Sequence, residues 1–107
     1  MRKLILPNLA VQDARGLEAY IRRSSPQNAD AFQERFLDTL EGLLTESMGF
    51  RRAFPGDPER ATLFVLYIHR QPNRVIFFEA DDLEVRVKRV LHAARGDLRE
   101  RTGDAAR

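Results

Sequence analysis

The chain has 107 residues, a formal net charge of +2 and no cysteine. Its length allows one domain with one modest core, and its hydrophobic share of 43% and charged share of 32% are ordinary for a globular domain. The lack of cysteine excludes a disulfide framework, a thiolate metal site and a thiol nucleophile. No window approaches the roughly 20 apolar residues that cross a bilayer, so a cytoplasmic protein is expected.

Charge is unevenly distributed along the chain. Residues 51–74 carry five basic and two acidic side chains, and residues 84–101 carry six basic and three acidic ones. Nearly all of these cations are arginines, which suit forked contacts with carboxylates and phosphates. A GC-rich genome would account for many arginines in total, but not for their concentration in two segments. An acidic partner would account for it, and we take that as a hypothesis.

The first half of the chain predicts a strand and two helices. Residues 4–6 are typical of a short strand, and apolar residues then recur at helical spacing over residues 9–23. Ser25 suits the N-cap of a second helix and Pro26 its first position, and that helix runs to about residue 47. Two amphipathic helices joined by so short a turn pack as an antiparallel hairpin.

The second half predicts three strands, over residues 62–69, 75–79 and 84–92. The first of them is almost continuously apolar, which favours a central position in the sheet. Short turns between the strands make an antiparallel meander. The predicted fold class is α+β in the order β-α-α-β-β-β, with the helical hairpin packed on one face of an antiparallel sheet. A single domain covers residues 1–101, and residues 102–107 are expected to form a disordered tail.

The last strand alternates apolar and charged residues. A period of two places one set of side chains under the helices and the other on the open face. The first set is Val85, Val87 and Leu91, and the second is Glu84, Arg86, Lys88, Val90 and His92. Arg89 breaks the alternation, so either a bulge re-aims it or a buried carboxylate such as Asp13 holds it.

These residues also have plain structural interpretations. Arg86 and Lys88 suit the solvent side of an edge strand, where charge discourages aggregation, and one histidine at a strand end is more often structural than catalytic. Two distant histidines without cysteine or paired carboxylates give no metal site. The chain has no glycine-rich phosphate loop and no nucleophile elbow. We therefore expect no cofactor and no small-molecule substrate.

Two segments carry a resemblance to a known family. The stretch RVIFFEA from Arg74, followed by VRVKRVLHAAR from Val85, resembles the closing hairpin of ParE-type toxins, whose last strand typically ends in Arg-Val-Leu-His. Towards the start of the chain, the family's first-helix pattern is matched by Pro7, Ala10, Asp13, Leu17 and Tyr20. In the middle of the chain, Phe54-Pro55-Gly56 matches the family's Pro-Gly loop. The resemblance spans roughly residues 4–95.

The resemblance implies the toxin half of a type II toxin–antitoxin pair. ParE-like toxins arrest bacterial growth by binding and poisoning DNA gyrase, a function that needs no catalytic residue. The residues predicted to contact the target are then the cations Arg86, Lys88, His92, Arg95 and Arg99. We favour this alternative.

Two further alternatives stay open. RelE-like relatives of the same fold cleave mRNA on the ribosome, and here His92, Arg86, Lys88 and Arg95 would form the acid–cation cluster. RelE-type toxins commonly add a tyrosine near the C-terminus to stack on a base, whereas nothing aromatic follows Phe78 in this chain. The third alternative is an inactive or regulatory binding module.

A cognate antitoxin is implied by both toxin alternatives. An acidic, partly disordered partner is expected to add a strand to a sheet edge or to lay a helix beside the helical hairpin. Phe50, Phe54, Leu63 and Phe64 exceed what so small a core needs. They are therefore the predicted antitoxin-binding residues.

Overall fold

Helices and strands follow one another in the predicted order β-α-α-β-β-β. The computed structural model describes residues 1–46 and 49–93, so Arg95, Arg99 and the predicted tail at 102–107 lie outside the described residues. The elements are β1 (Lys3–Ile5), α1 (Asn8–Ser24), α2 (Pro26–Thr45), β2 (Phe64–Tyr67), β3 (Arg74–Ala80) and β4 (Glu84–His92), with a 3₁₀ turn at Pro58–Arg60. In the described residues, no helix combines the length and the apolar content that a membrane span requires.

The junction between the helices forms as the sequence predicts. Ser25 is the N-cap of α2, because its Oγ accepts a hydrogen bond of 3.1 Å from the Asn28 N–H, and Pro26 occupies the first turn. The Ser25 backbone N–H also donates to the Ile21 carbonyl at 2.9 Å, which closes α1. One residue thus ends α1 and starts α2, and the chain folds back into a hairpin.

The end of α2 is held by a residue from the start of the chain. The Arg2 guanidinium donates to the carbonyls of Leu43 at 3.0 Å and Glu46, and to the Asp81 carbonyl at 2.9 Å in the turn between β3 and β4. The Arg2 backbone N–H donates to the Leu44 carbonyl at 3.0 Å. Because the last carbonyls of a helix have no partner within the helix, Arg2 satisfies them and ties α2 to the sheet.

The four strands form one sheet in the order β1-β4-β3-β2. Strands β2, β3 and β4 form the predicted antiparallel meander, and β1 joins β4 in parallel, which makes the sheet mixed. The prediction of a central strand over residues 62–69 is wrong, because β2 lies at the edge and its Leu66 and Tyr67 are exposed. A meander places its second strand in the middle, and β1 covers the far side of β4, so β2 remains at the border.

Both faces of the sheet carry apolar residues. The helices cover one face and form the main core with it. Strands β3 and β4 contribute Ile76, Phe78, Val85, Val87 and Val90, and Ile68 joins them directly after β2. The opposite face, which we call the open face, holds a smaller cluster of Leu63, Val75, Phe77 and Leu91. The ring of Phe54 stacks on that of Phe77 at a centroid distance of 6.1 Å, so the loop before β2 covers part of the open face.

Candidate functional site on the open face of the sheet

A β-bulge in β4 decides which side chains reach the open face. The register of β3 and β4 pairs Phe77 with Arg89 and Phe78 with Val87. Lys88 is therefore an extra residue with no partner on the neighbouring strand. Because side chains alternate between the faces of a sheet, one extra residue moves the side chains from Val90 onwards to the opposite face.

The alternation predicted from the sequence is confirmed before the bulge and wrong after it. Arg86 and Lys88 lie on the open face, since Val85 and Val87 belong to the main core. Beyond the bulge the assignment is inverted: Val90 lies in the main core, and Leu91 belongs to the cluster on the open face.

His92 does not join Arg86 and Lys88. It pairs in register with Arg74, whose guanidinium lies 6.0 Å from the ring centroid of Phe32 in α2. His92 and Arg74 therefore belong to the helix side of the sheet. The expected cluster of His92 with Arg86 and Lys88 on one face is wrong, because the bulge at Lys88 places the sheet between them.

Both explanations offered for Arg89 apply. The bulge precedes it, and its Nε and Nη2 donate to the Asp13 carboxylate of α1 at 2.6 and 2.9 Å, with each side chain 11% exposed. Asp13 also accepts a hydrogen bond of 3.1 Å from the Val90 N–H. Strand β1 pairs with β4 along Glu84–Arg86. Further along β4, the Asp13 carboxylate accepts the hydrogen bond of the Val90 N–H instead.

The predicted cations Arg86 and Lys88 are largely neutralised by carboxylates. The Lys88 Nζ lies 3.2 Å from the Glu79 carboxylate, and Arg86 pairs with Glu84 and lies 4.0 Å from Glu79. Partial burial by itself raises the pKa of the Glu79 carboxyl. Hydrogen bonds from Thr62 and Lys88 and the charge of Arg86 outweigh that effect and hold the pKa below its ordinary value. This part of the open face therefore offers little excess charge.

The excess charge of the open face comes from residues outside the predicted set. Arg51, Arg52 and Tyr67 surround a groove of about 210 Å³, whose apolar lining includes Val65 and Phe77. Tyr67 is 56% exposed. Both arginine side chains are exposed, and among the described residues neither guanidinium forms an ion pair or hydrogen bond.

Backbone hydrogen bonds place the two arginines beside the sheet. Arg52 forms an isolated antiparallel bridge with Phe64, and the Val65 N–H donates to the Arg51 carbonyl at 3.0 Å. The following turn is closed by a 3.1 Å hydrogen bond from the Asp57 N–H to the Phe54 carbonyl, and it needs the positive φ of 88° at Gly56. The basic excess over residues 51–74 was the signal for this surface in the sequence. Tyr67 gave none, because an apolar run indicates burial.

The predicted antitoxin-binding residues are taken up by the two cores. The Phe50 ring lies 5.1 Å from that of Phe78 and 5.7 Å from that of Phe64, while Leu63 is 3% exposed and Phe54 stacks on Phe77. The apolar surplus on which that prediction rested is therefore used within the fold.

An exposed apolar side chain lies instead on the helical hairpin. Leu37 of α2 is 57% exposed. It borders a groove of about 160 Å³ between α1 and α2, whose apolar lining includes Val11, Ala14 and Phe36. Within the described residues, no three histidine, aspartate or glutamate side chains group closely enough to hold a metal ion.

The architecture defines a class of protein. A helical hairpin packed on one face of a four-stranded sheet, in the order β-α-α-β-β-β, is the arrangement of ParE/RelE-like toxins. The family model described as the ParE toxin of the type II toxin–antitoxin system, parDE, matches residues 4–96. No curated protein matches the chain. The chain therefore belongs to the ParE toxin family: it is a toxin of a type II toxin–antitoxin system, with an antitoxin protein as its partner.

Proposed function

We propose that this toxin arrests growth in the bacterial cytoplasm by binding DNA gyrase and trapping it on cleaved DNA, without catalysis of its own. The position of His92 carries the argument for binding over cleavage. Cleavage of RNA through its 2′-hydroxyl needs proton carriers and cations around one phosphate. His92 lies across the sheet from Arg86 and Lys88, and within the described residues the carboxylates beside those cations are ion-paired.

The groove formed by Arg51, Arg52 and Tyr67 is the surface that we assign to the target. Arginine and tyrosine carry much of the binding energy of protein interfaces. Guanidiniums that have no partner among the described residues can meet carboxylates on an acidic partner. Arg86 and Lys88 lie on the same face of the sheet as this groove. Arg95 and Arg99 stay predictions from the sequence.

The test is a supercoiling assay with purified gyrase. We expect the toxin to inhibit supercoiling and to accumulate cleaved DNA, and no effect at micromolar toxin would contradict the proposal. The double variant Arg51→Ala/Arg52→Ala and the single variant Tyr67→Ala should each weaken inhibition about tenfold or more. Arg15→Ala, which removes an exposed arginine from α1, is the matched control and should inhibit normally.

Cleavage of mRNA is the outcome that would replace this function. Primer extension on mRNA from translating ribosomes would then show new codon-linked ends in the presence of the toxin, and His92→Ala would abolish them. A plain nucleic-acid binder would instead bind DNA or RNA alone, with affinity falling steeply as salt rises. Under the gyrase proposal both experiments give negative results.

We also infer that the antitoxin lays an apolar helix in the groove between α1 and α2. The exposed Leu37 and the apolar groove beside it support this position. Leu37→Glu should let the toxin escape its antitoxin while gyrase inhibition is unchanged. Leu83→Glu, at a leucine that is 80% exposed in the turn between β3 and β4, is the control. If the antitoxin neutralises Leu37→Glu as well as wild type, the antitoxin binds another surface, such as the edge of β2.

A further inference from the structure

A polar pocket lies at the closed end of the helical hairpin, on the opposite side of the sheet from the groove assigned to the target. It has a volume of about 320 Å³, and the turn between β2 and β3 forms one wall with Arg70 and Arg74. Asn28, from the first turn of α2, lies on the other wall. No aspartate or glutamate is among the described residues that line the pocket.

The guanidinium of Arg74 is fixed in orientation but short of acceptors. It lies 6.0 Å from the centroid of the Phe32 ring, and its Nη1 donates to the Gln71 Oε1 at 2.9 Å. Its Nε is buried and has no hydrogen-bond partner among the described residues. A buried donor without an acceptor is unfavourable unless a ligand or water supplies one.

Arg70 adds a second cation to the lining of the pocket. Its backbone has a φ of 56° at the third position of the turn that the Gln71 N–H closes on the Ile68 carbonyl at 2.9 Å, so the turn fixes where this side chain emerges. Its guanidinium forms no ion pair or hydrogen bond with the described residues. Two acidic residues of the hairpin, Glu18 and Asp30, both pair with Arg22.

The start of α2 has the same electrostatic sign as the two arginines. The positive end of a helix dipole is commonly balanced by an acidic residue in the first turn, and α2 has none there. The pocket thus combines two guanidiniums and an amide side chain with a helix start that has no acidic residue in its first turn.

We propose that this pocket binds a phosphate group between Arg70 and Arg74, with the Asn28 amide as a further donor. A phosphate has enough oxygens and charge to meet both guanidiniums at once, whereas one arginine fork already satisfies a carboxylate. Two sources share this chemistry, namely free inorganic phosphate and the backbone of DNA. The site does not depend on the proposed gyrase contacts, which lie on the open face.

Thermal unfolding of the full chain tests the proposal, with inorganic phosphate compared with chloride at equal ionic strength. A phosphate concentration about ten times the dissociation constant should raise the Tm by about 5 °C. Arg70→Gln and Arg74→Lys should each remove most of that rise, and Arg15→Gln should retain it. Phosphate also stabilises proteins in general by exclusion from their surface, so an equal rise in all variants would overturn the site.

Further experiments distinguish phosphate from other anions, and free inorganic phosphate from the DNA backbone. A rise with acetate as large as that with phosphate would overturn the assignment to phosphate. A short DNA duplex that binds wild type, is displaced by inorganic phosphate and binds Arg70→Gln more weakly would identify the DNA backbone as the source. Phosphate binding without DNA binding would identify the free ion. If Arg74→Lys does not fold, Arg70→Gln decides alone, because its side chain is exposed.

Discussion

Asp13 joins α1 to β4 through hydrogen bonds to the Arg89 side chain and the Val90 N–H. Asp13→Ala leaves the Arg89 guanidinium buried without its counter-charge, and we expect a loss of about 3–5 kcal/mol in the free energy of unfolding. Urea denaturation measures this loss as a lower midpoint at an unchanged m value.

An exposed ion pair provides the control for Asp13. Glu18→Ala removes a partner of Arg22 on the surface of α1, and exposed pairs contribute about 0–1 kcal/mol. The double variant Asp13→Ala/Arg89→Leu should recover part of the loss, because it leaves no buried charge behind. Equal midpoints for Asp13→Ala and Glu18→Ala would show that the buried pair contributes no more than a surface one.

Glu79 links stability to pH. Its pKa is lower in the folded state than in the unfolded chain, because the hydrogen bonds from Thr62 and Lys88 outweigh the opposing effect of burial. A carboxyl of this kind stabilises the fold above its unfolded pKa of about 4.3, and the contribution is lost as pH falls through the folded value. Glu79→Gln should therefore lower stability by about 0.5–1 kcal/mol at pH 7.

The same comparison at acidic pH gives the sign of the effect. Urea unfolding at about pH 3 should show a smaller difference between wild type and Glu79→Gln than at pH 7, because the wild-type carboxyl is then increasingly protonated. A difference that stays constant from pH 7 to pH 3 would mean that the ionised carboxylate does not contribute.

At the scale of elements, the bulge in β4 positions Arg89. Deleting Lys88 restores regular alternation, so Arg89, which pairs with Phe77, should turn towards the open face and lose Asp13. We expect the deletion to keep the fold and to lose about 2–4 kcal/mol. Combined with it, Asp13→Ala should cost much less than in the wild type, because the ion pair is already lost and the bond from the Val90 N–H is what remains.

A double-mutant cycle by urea denaturation checks that coupling. Deleting Asp82 from the exposed turn between β3 and β4 is a control for shortening the hairpin, and it should remain additive with Asp13→Ala. Full additivity of the Lys88 deletion with Asp13→Ala would mean that Arg89 reaches Asp13 without the bulge.

The elements differ in how far the sequence alone could predict them. Ser25 and Pro26 act on residues beside them, so the junction of the helices follows from local signals. The bulge places Arg89 in contact with Asp13, a residue 76 positions away in the sequence. The pattern of β4 admitted two explanations for Arg89, but it did not indicate that Val90, Leu91 and His92 would change faces.

At the scale of the whole molecule, the apolar character of a segment did not indicate where its strand lies in the sheet. The apolar run at 62–69 predicted a central strand, yet β2 lies at the edge. Phe64 packs against Phe50 and is bridged to Arg52 of the preceding loop, whereas Leu66 and Tyr67 are exposed. The same loop presents Arg51 and Arg52 to the open face. Such a contact between a loop and a sheet has no periodic signal, and this is why the groove was not predicted.

Phe54 connects this arrangement to the proposed function. Its ring stacks on Phe77 and lies under Arg60, which holds the loop of Arg51 and Arg52 against the sheet. Phe54→Ala should release that loop. We expect a loss of about 1–3 kcal/mol, below the 3–5 kcal/mol typical of a fully buried phenylalanine, together with a marked loss of gyrase inhibition.

Leu44→Ala separates the two effects of Phe54→Ala. Leu44 is half-buried against the main core, on the opposite side of the sheet, and its truncation should lower stability by about 2 kcal/mol. Both variants are compared by urea unfolding and by supercoiling inhibition at a temperature where both are folded. If position on the open face matters, Phe54→Ala loses inhibition and Leu44→Ala keeps it. Equal losses in both variants would mean that stability alone governs activity, because only Phe54→Ala disturbs the surface that carries Arg51 and Arg52.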